Sequence, residues 1–395
     1  MTMDRRTILA GAGALGAGSV FAPFVRPSYA QSGNLKLGLL LPYSGTYAAL
    51  GEAITNGMAL YLKQQGDKIG GRGVTFVKVD DESAPPKATE LTTKLVSGEK
   101  VDALFGTVHS GVAMAMVKIA REDGLPTIVP NAGADAITRS LCAPNVFRSS
   151  FGNGQVGAAT APAMLKAGHK KVVTATWKYA AGEESVAGFK KVFTAGGGEV
   201  MKEITLPFPD VEFQSILTEI GTLKPDAVYV FFAGGGALKF MKDYAAAGLN
   251  AKIPLWGPGF LTDGVEKQAG AAGNGVKTVL HYVETLDNPE NKAFVAAYQE
   301  AFKMAPDVYA VQGYDALRML DIGAKAVGGD FTKRADLNNA IGNASFASPR
   351  GPFKLSKSHN PIQNFYLREL RDGANKFIGV AAENVSDDMT GCKLA

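Results

Sequence analysis

Residues 37–62, LGLLLPYSGTYAALGEAITNGMALYL, decide the fold. The apolar run Leu35–Leu41 has the length of a buried strand, and a short polar loop, residues 42–47, follows it. The next segment, Ala48–Gln65, carries apolar side chains at helical spacing and predicts a helix. A buried strand that leads into a helix is the first half of a βαβ unit, in which helices cover a parallel sheet.

The same alternation of short apolar runs and longer amphipathic stretches continues along the chain. A first set of strands ends at Arg148, and the pattern then starts again, so that two consecutive βαβ sets are each large enough for a sheet. The last third instead predicts two long helices, 288–303 and 308–326, and a hairpin within 353–372. We therefore predict an α/β fold with two doubly wound lobes that are joined by a hinge of several chain crossings. The predicted strands are 35–41, 74–80, 103–105, 127–129, 146–148, 171–176, 199–205, 227–232 and 253–256. The further helices are predicted at 86–97, 111–122, 155–166, 185–195, 213–222 and 237–247.

Because the last third of the chain is expected to return to both sheets, each lobe should consist of two separate segments. Lobe 1 is expected to contain residues 31–150 and about 282–350, and lobe 2 residues 151–281 and about 351–385. Residues 386–395 then form a C-terminal tail.

The N-terminal segment MDRRTILAGAGALGAG, Met3–Gly18, contains the glycine spacing of a dinucleotide-binding loop. That interpretation is unfavourable, because no strand of useful length precedes the glycines and no acidic residue occurs between Asp4 and Glu52. The order of the Arg5–Arg6 pair, an apolar run and small residues before Ala30 instead indicates an export signal over residues 1–30, similar to the twin-arginine type. The run is too short and too rich in glycine for a membrane anchor. We expect cleavage after about Ala30 and a periplasmic mature protein.

Composition excludes several classes of function. The chain has 41 Lys and Arg against 37 Asp and Glu, so nothing in its charge favours nucleic acid or an anionic membrane as a partner. Its four histidines are scattered without the spacing of a metal site, and no nucleophile elbow or P-loop motif is present, so we expect no metal, no cofactor and no enzymatic activity. Cys142 and Cys392 could remain two buried thiols, but outside the cytoplasm we predict that they form a disulfide.

Three loops at the ends of predicted strands have the composition of a binding site. They are residues 42–47, 106–111 and 130–134, which are rich in glycine and hydroxyl groups and lead directly into helices. Ligands of doubly wound sheets bind beyond the carboxyl ends of the strands, and helix N-termini attract anions there. Ordinary helix capping by Ser44, Ser110 and Asn131 is the alternative, and His109 could either face a ligand or be a plain loop residue. The expected convergence of the loops at one sheet edge favours a site for a carboxylate.

The arrangement resembles the periplasmic solute-binding proteins of ABC transporters, in their leucine/isoleucine/valine-binding group with the type I fold. The resemblance covers essentially the whole mature chain. It implies two lobes that close on a small carboxylate and present it to a membrane permease, and we expect a monomer. The segments that carry the resemblance are residues 37–62, VDALFGTVHSGVAMAM (101–116), PTIVPNAGADAIT (126–138), NVFRSSFGN (145–153), DAVYVFF (226–232), PLWGPGFLTDG (254–264) and QGYDALRML (312–320).

The resemblance also implies roles for individual residues. Ser110 matches the hydroxyl that binds the substrate carboxylate, the loop from Asn131 to Gly133 supplies further donors, and Tyr43 and Tyr47 occupy the position of an aromatic wall. The sequence departs from the family where Ala181, rather than an aromatic residue, precedes Gly182, with Tyr179 and Trp177 as the nearest aromatic residues. The expected substrate-binding residues are Tyr43, Tyr47, Thr107, His109, Ser110, Asn131, Ala132, Gly133, Tyr179, Gly259 and Phe260.

The ligand class follows from the residue at position 259. Amino-acid binders of the family place an acid after Gly-Pro to receive the ligand's ammonium, whereas this chain has Gly259. Burial of an unpaired ammonium is costly, so we predict an aromatic carboxylate of the benzoate, hydroxybenzoate or phenylpropenoid kind, with Gly259 leaving room for its ring. The alternative is a branched-chain amino acid, if Asp263 turns toward the ligand. A ligand sensor and a secreted enzyme are the more distant alternatives.

Overall fold

Two β-sheets form the framework of residues 33–395, the part of the chain that the computed structural model describes. The strands of the first sheet are β1 (Leu35–Leu41), β2 (Lys68–Ile69), β3 (Arg72–Asp80), β4 (Ala103–Gly106), β5 (Thr127–Val129) and β6 (Val146–Arg148). Their order is β2-β3-β1-β4-β5-β6, and every neighbouring pair except β2 with β3 runs parallel.

The second sheet has a parallel half and an antiparallel half. Its strands are β7 (Lys171–Trp177), β8 (Glu199–Leu206), β9 (Ala227–Phe231), β10 (Leu255–Pro258), β11 (Lys277–Leu280), β12 (Ser345–Ser348), β13 (Gly351–Leu355), β14 (Pro361–Arg371) and β15 (Ala374–Val385). Strands β8, β7, β9, β10 and β11 are parallel neighbours, and β14 joins them antiparallel to β11. Strand β15 pairs with β14 outside this order.

Helices connect the strands as the βαβ pattern requires. Within residues 33–395 the α-helices are α1 (Ala48–Gln64), α2 (Pro85–Thr93), α3 (Ser110–Asp123), α4 (Asn153–Lys166), α5 (Ala180–Ala195), α6 (Gln214–Leu223), α7 (Gly234–Ala246), α8 (Glu266–Ala269), α9 (Pro289–Phe302), α10 (Val308–Ala326) and α11 (Arg334–Gly342). None of these helices is both long and apolar enough to cross a bilayer. The predicted α/β fold with two sheets is confirmed.

Central strands of both sheets are buried, which explains their apolar composition. In β1 the side chains of Leu35, Leu37, Leu39 and Leu41 are completely buried, and Leu40 on the other face is buried as well. A parallel strand with helices on both faces has no side that water reaches. The parallel directions also bring the carboxyl ends of β1, β4, β5 and β6 to one edge, which positions the site described below.

The late helix α10 returns to the first sheet and packs against α1. The two helices approach closely at Gly57 and Gly313, where an added Cβ would overlap the carbonyl oxygens of Ala310 and Ile54, respectively. The hydroxyl of Tyr61 on α1 donates to Asp321 Oδ2 on α10 at 2.8 Å. Because α10 is fixed in this way, its first residues lie at the carboxyl edge of the first sheet.

A disulfide joins Cys142, just before β6, to Cys392 in the C-terminal tail, with 5.5 Å between the Cα atoms. The predicted disulfide is confirmed, and neither cysteine is a free thiol. On its way to Cys392 the tail passes the β13–β14 turn, where Asp387 accepts hydrogen bonds from Ser356 and Ser358. The disulfide therefore connects the chain that leaves the second sheet to the end of the first. The export signal and its cleavage after about Ala30 lie outside the described residues.

Candidate ligand-binding site

A small cavity with a volume of about 20 Å³ lies where the carboxyl ends of the two sheets face each other. This volume holds about one water molecule and is far below the roughly 300 Å³ at which pockets for small molecules begin, so the walls must move apart to admit a ligand. Its lining residues come from loops that follow β1, β4, β5 and β6 of the first sheet and β7, β9 and β10 of the second, and from α10. They are Tyr47, Leu50, Val108, Ser110, Asn131, Gly133, Phe151, Asn153, Tyr179, Ala181, Phe231, Ala233, Phe260 and Tyr309.

Aromatic rings form most of the apolar wall. Phe260 packs against Phe151 with 4.7 Å between ring centroids, and its other neighbours are Phe231 at 6.1 Å and Tyr309 at 6.2 Å. Such offset and tilted arrangements are favourable for aromatic rings. The wall is therefore suited to a flat apolar group.

The hydroxyls of Tyr47 and Tyr179 close one side of the cavity. Tyr47 follows a strand of the first sheet and Tyr179 follows a strand of the second, and their oxygens are 2.8 Å apart. Burial raises the pKa of Tyr179 above its ordinary range and that of Tyr47 well above it, so both hydroxyls stay neutral. One hydrogen bond thus joins the two halves of the site.

Helix N-termini surround the cavity and supply its positive potential. Ser110 and Asn153 are the first residues of α3 and α4, Ala181 and Tyr309 are the second residues of α5 and α10, and Ala233 directly precedes α7. A helix N-terminus carries the equivalent of about half a positive charge and has backbone N–H groups without partners in the helix. No Lys, Arg, Asp or Glu is among the lining residues in the described part of the chain. The site therefore attracts an anion without presenting a formal charge.

The polar side chains of the first sheet are connected through Asn153. Its Nδ2 lies 3.2 Å from Ser110 Oγ, and both side chains are buried. In the neighbouring loop the Asn131 amide donates to Gln312 Oε1 at 2.8 Å. These bonds fix which side-chain atoms act as donors and acceptors on this side of the cavity.

Two polar atoms of the lining have no hydrogen-bond partner within residues 33–395, the Tyr309 hydroxyl and Asn153 Oδ1. Tyr309 is only 1% exposed, and burial raises its pKa well above the ordinary value, so the group is a neutral hydroxyl. Buried polar groups are nearly always hydrogen-bonded in folded proteins. Unpartnered groups in a cavity are therefore candidates for ligand contacts.

Six of the eleven residues predicted from sequence line the cavity. They are Tyr47, Ser110, Asn131, Gly133, Tyr179 and Phe260. The rule that ligands bind beyond the carboxyl ends of parallel strands predicted these loops, and the structure brings the six residues together around one cavity.

Tyr43 and Gly259 do not line the cavity. Tyr43 turns toward α1, where its hydroxyl lies 3.0 Å from Thr55 Oγ1. Gly259 faces away from the site, since a side chain there would overlap Arg368 and Leu280. The expectation that Gly259 leaves room for a ligand ring is therefore wrong.

Thr107, His109 and Ala132 support the lining from behind. Thr107 donates its hydroxyl to the buried Asp81 and accepts the Ala132 N–H through its carbonyl at 2.8 Å. His109 caps α3, where its Nδ1 accepts the Gly111 N–H at 3.1 Å, and its ring stacks on Tyr179 at 4.6 Å. Burial lowers the pKa of His109 to about 4, so its imidazole is neutral. The two alternatives left open for His109 are thus replaced by a third, a cap that supports Tyr179.

Asp263 and Trp177 are also engaged elsewhere. Asp263 is buried and paired with Arg368, whose two terminal nitrogens lie 3.2 Å and 2.5 Å from its carboxylate oxygens. Trp177 is buried and donates its indole N–H to the Asp210 carbonyl at 2.8 Å. Asp263 consequently cannot serve as the counter-charge of a ligand ammonium without leaving a buried arginine unpaired.

Eight lining residues were not predicted from the sequence: Leu50, Val108, Phe151, Asn153, Ala181, Phe231, Ala233 and Tyr309. Phe151 and Asn153 follow β6, and the carboxyl-edge rule would have included them if it had been applied to that strand. Tyr309 had no comparable signal, because it reaches the site only through the return of α10.

Comparisons with known proteins show which proteins this chain is similar to. The family described as periplasmic binding protein matches residues 34–375. The chain is similar to an ABC-transporter solute-binding protein from R. palustris in complex with benzoate, at 71% identity and a TM-score of 0.90, over 91% of this chain and 100% of that one. It is similar to a solute-binding protein from Rhodopseudomonas palustris BisB5 in complex with 3,4-dihydroxy benzoic acid, at 33% identity and a TM-score of 0.84, over 90% and 98% of the two chains. It is also 32% identical over 366 residues to the Leu/Ile/Val-binding protein homolog 6 of Brucella melitensis biotype 1, covering 90% of this chain and 92% of the relative.

Proposed function

The chain belongs to the periplasmic binding protein family, and from this premise we propose that it captures an aromatic carboxylate of the benzoate type for an ABC transporter. The observation that carries the proposal is the composition of the cavity. Aromatic rings and helix N-termini surround it, and no charged side chain of the described residues lines it. The related proteins named above are solute-binding proteins rather than enzymes, and this chain is one as well.

The carboxylate is expected near Ser110. That residue begins α3, so its backbone N–H has no helical partner and points along the positive end of the helix dipole. Its hydroxyl and the start of α4 at Asn153 lie beside it. Hydrogen bonds from such donors to an anion are stronger than bonds between neutral groups.

The ring of the ligand is expected among Phe151, Phe260 and Tyr309. These side chains and Phe231 give the wall its apolar character. Apolar burial contributes roughly 25 cal/mol for each Å² removed from water, and ring contacts add to it. The complexes of relatives with benzoate and with 3,4-dihydroxy benzoic acid support the same ligand class.

An α-amino acid fits this cavity less well. Its ammonium would be buried among helix N-termini of the same sign, and no carboxylate of the described residues lines the cavity. Moving a charge out of water without a partner costs several kcal/mol. Branched-chain amino acids remain the second candidate because a curated relative is a Leu/Ile/Val-binding protein homolog.

Binding is proposed to close two lobes, which then dock on the membrane permease as a monomer. Lobe 1 would contain residues 31–150 and about 282–344, and lobe 2 residues 151–281 and about 345–385, with 386–395 as the tail. The second boundary differs from the 350 expected from sequence because β12 pairs with β13. Export through a twin-arginine signal with cleavage after about Ala30 belongs to the same proposal.

A calorimetric titration of the mature protein tests the ligand class. The panel is benzoate, 4-hydroxybenzoate, 3,4-dihydroxybenzoate, leucine and valine, and each titration is paired with a thermal melt. A ligand at about 100 times its Kd stabilises the folded state by roughly 2.7 kcal/mol. We expect that stabilisation from the aromatic acids and not from leucine or valine. The opposite pattern would replace the proposal by the amino-acid alternative.

A further inference from the structure

Glu184 lies outside the cavity but is connected to it by hydrogen bonds. It stands in the first turns of α5, and its Oε2 accepts the Asp135 backbone N–H at 2.9 Å and Asn153 Nδ2 at 2.8 Å. Burial and the neighbouring charge of Asp135 raise the pKa of its half-buried carboxyl. A carboxylate that is shielded from water needs hydrogen-bond donors, and the Asp135 N–H and the Asn153 amide provide two.

The bond to Glu184 fixes the orientation of the Asn153 amide. An ionised carboxylate only accepts hydrogen bonds, so the amide nitrogen and not the amide oxygen must face it. The other hydrogen of that nitrogen is directed to Ser110 Oγ at 3.2 Å. The backbone N–H of Asn153 donates to the Gly133 carbonyl at 2.7 Å and holds the residue in place.

The orientation of Asn153 in turn determines what Ser110 can do. A serine hydroxyl has one hydrogen to donate and two lone pairs to accept with. Since Asn153 donates to Ser110 Oγ, the hydroxyl hydrogen must be directed elsewhere, and Ser110 lines the cavity. The chain of donors runs from Asn153 to Ser110 and from Ser110 into the anion site.

We propose that Glu184 is a positioning residue that, through Asn153, turns Ser110 into a hydrogen-bond donor for the ligand carboxylate. The inference rests on the proposed function, because it assumes an anion beside Ser110. It adds a residue from outside the cavity to the determinants of carboxylate affinity. Without the carboxylate at position 184, the Asn153 amide can turn over, and its oxygen then competes with the ligand for the Ser110 hydrogen.

The simplest alternative is that Glu184 only ties α5 to the backbone of Asp135. The two roles differ in whether they need Ser110. Stabilisation through Asp135 is independent of the Ser110 hydroxyl, whereas positioning acts only through it. A double-mutant cycle between Glu184 and Ser110 separates them.

The experiment measures the Kd of benzoate by calorimetry at neutral pH for wild type, E184A, E184Q, S110A and S110A/E184A. E183A is the matched control, since Glu183 is the exposed neighbour on the same helix. We expect E184A to weaken binding about five- to tenfold, the loss of about one hydrogen bond. E184Q should bind like wild type, because its amide oxygen can accept both donors. In the S110A background the E184A effect should disappear. E184L, which keeps the side-chain volume, replaces E184A if thermal melts show that the alanine variant does not fold.

The possible results lead to different conclusions. If wild type binds benzoate and E184A binds equally well, or if its defect persists in the S110A background, the positioning role is overturned and the proposed function stands. If wild type binds none of the aromatic acids, the proposed function itself fails and this inference fails with it.

Discussion

The buried hydroxyl of Tyr309 is a group that lowers the stability of the fold but is placed to contact a ligand. It is buried in the cavity without a hydrogen-bond partner among the described residues. Leaving a buried donor unsatisfied costs about 1–3 kcal/mol. A ligand that supplies the partner recovers this free energy at the moment of binding.

We therefore predict opposite effects for Tyr309→Phe. Removing the unpartnered hydroxyl should raise the free energy of unfolding of the ligand-free protein by about 1 kcal/mol and weaken binding of the aromatic acid about five- to tenfold. Urea denaturation and calorimetry measure the two quantities. Tyr314→Phe is the control. The Tyr314 hydroxyl donates a hydrogen bond of 2.7 Å to the exposed Gln64, and Tyr314 does not line the cavity. Unchanged affinity in Tyr309→Phe would show that the hydroxyl does not contact the ligand.

Asp81 is a buried carboxyl behind the site that responds to pH. Burial raises the pKa of Asp81 to about 6, although hydrogen bonds from Thr107 and the Ser83 N–H act in the opposite direction. The unfolded-state pKa is about 3.9, so the folded state binds this proton more tightly. The contribution to stability is therefore fully present below about pH 4 and is lost as the pH rises through about 6.

We predict that Asp81→Asn removes this part of the pH dependence. Between pH 4.5 and 7.5 the wild type should lose about 2 kcal/mol that the variant keeps, which is most of the roughly 3 kcal/mol to which two pKa units correspond. Urea denaturation at both pH values gives the comparison. Asp80→Asn is the control with the opposite sign: partial burial alone would raise the pKa of Asp80, but hydrogen bonds from the Tyr43 and Glu82 N–H groups lower it. An equal pH slope in Asp81→Asn and wild type would contradict the prediction.

At the residue scale, the sequence predicted the loops of the site better than the individual side chains. Ser110, Asn131 and Gly133 were found because the ends of parallel strands meet at one edge. Side-chain direction is not contained in that rule, and for this reason Tyr43 turned out to face Thr55 and Gly259 to face Arg368. The location of Tyr309 in the cavity depends on the tertiary packing of α10, which no local sequence pattern predicts.

At the scale of elements, the contact between α1 and α10 determines where Tyr309 lies. Gly57 and Gly313 allow the two backbones to approach so closely that a Cβ on either glycine would overlap a carbonyl oxygen of the other helix. Tyr309 stands one turn before Gly313 on α10. A displacement of α10 consequently moves a wall of the cavity.

Gly313→Ala is therefore predicted to affect both stability and binding. The added methyl group must push the helices apart, and overpacking of this kind costs about 1–3 kcal/mol. Ligand affinity should fall as well, because Tyr309 moves with its helix. Thermal melts and calorimetry measure the two effects. Gly98→Ala is the control, since a Cβ there would meet nothing within 4 Å. A Gly313→Ala variant with wild-type stability would show that the helices can separate at no cost.

The strands were predicted closely because buried parallel strands are short apolar runs. Strands β1, β5 and β6 have the predicted bounds, 35–41, 127–129 and 146–148. Helix starts were less accurate: α5 begins at Ala180 rather than 185 and α7 at Gly234 rather than 237. These helices begin with alanine and glycine residues, and such small residues give no amphipathic signal. The same small residues leave the helix N-termini accessible to a ligand, so the errors fall at the site itself.

At the scale of the whole molecule, the two sheets are connected through the ligand site and through the disulfide. The contacts across the cavity include the hydrogen bond between the Tyr47 and Tyr179 hydroxyls, which either atom can donate, and the stacking of His109 on Tyr179. At the far end the Cys142–Cys392 bond closes a loop with a sequence separation of 250 residues. Neither cysteine lines the cavity. The covalent bond and the binding site should therefore act on different properties of the protein.

Since the disulfide lies outside the cavity lining, its effects on stability and on binding can be measured independently. Replacing both cysteines by serine should lower the free energy of unfolding by about 2–4 kcal/mol, mainly because the unfolded chain is no longer restricted by the closed loop. The Kd for the aromatic acid should change little, because the lining and its hydrogen bonds are untouched. Urea denaturation and calorimetry test the two parts, and a reductant added to wild type should reproduce the loss of stability while leaving the double variant unaffected. A large change in Kd would mean that the tail, which Asp387 also holds at Ser356 and Ser358, controls how the two sheets approach each other.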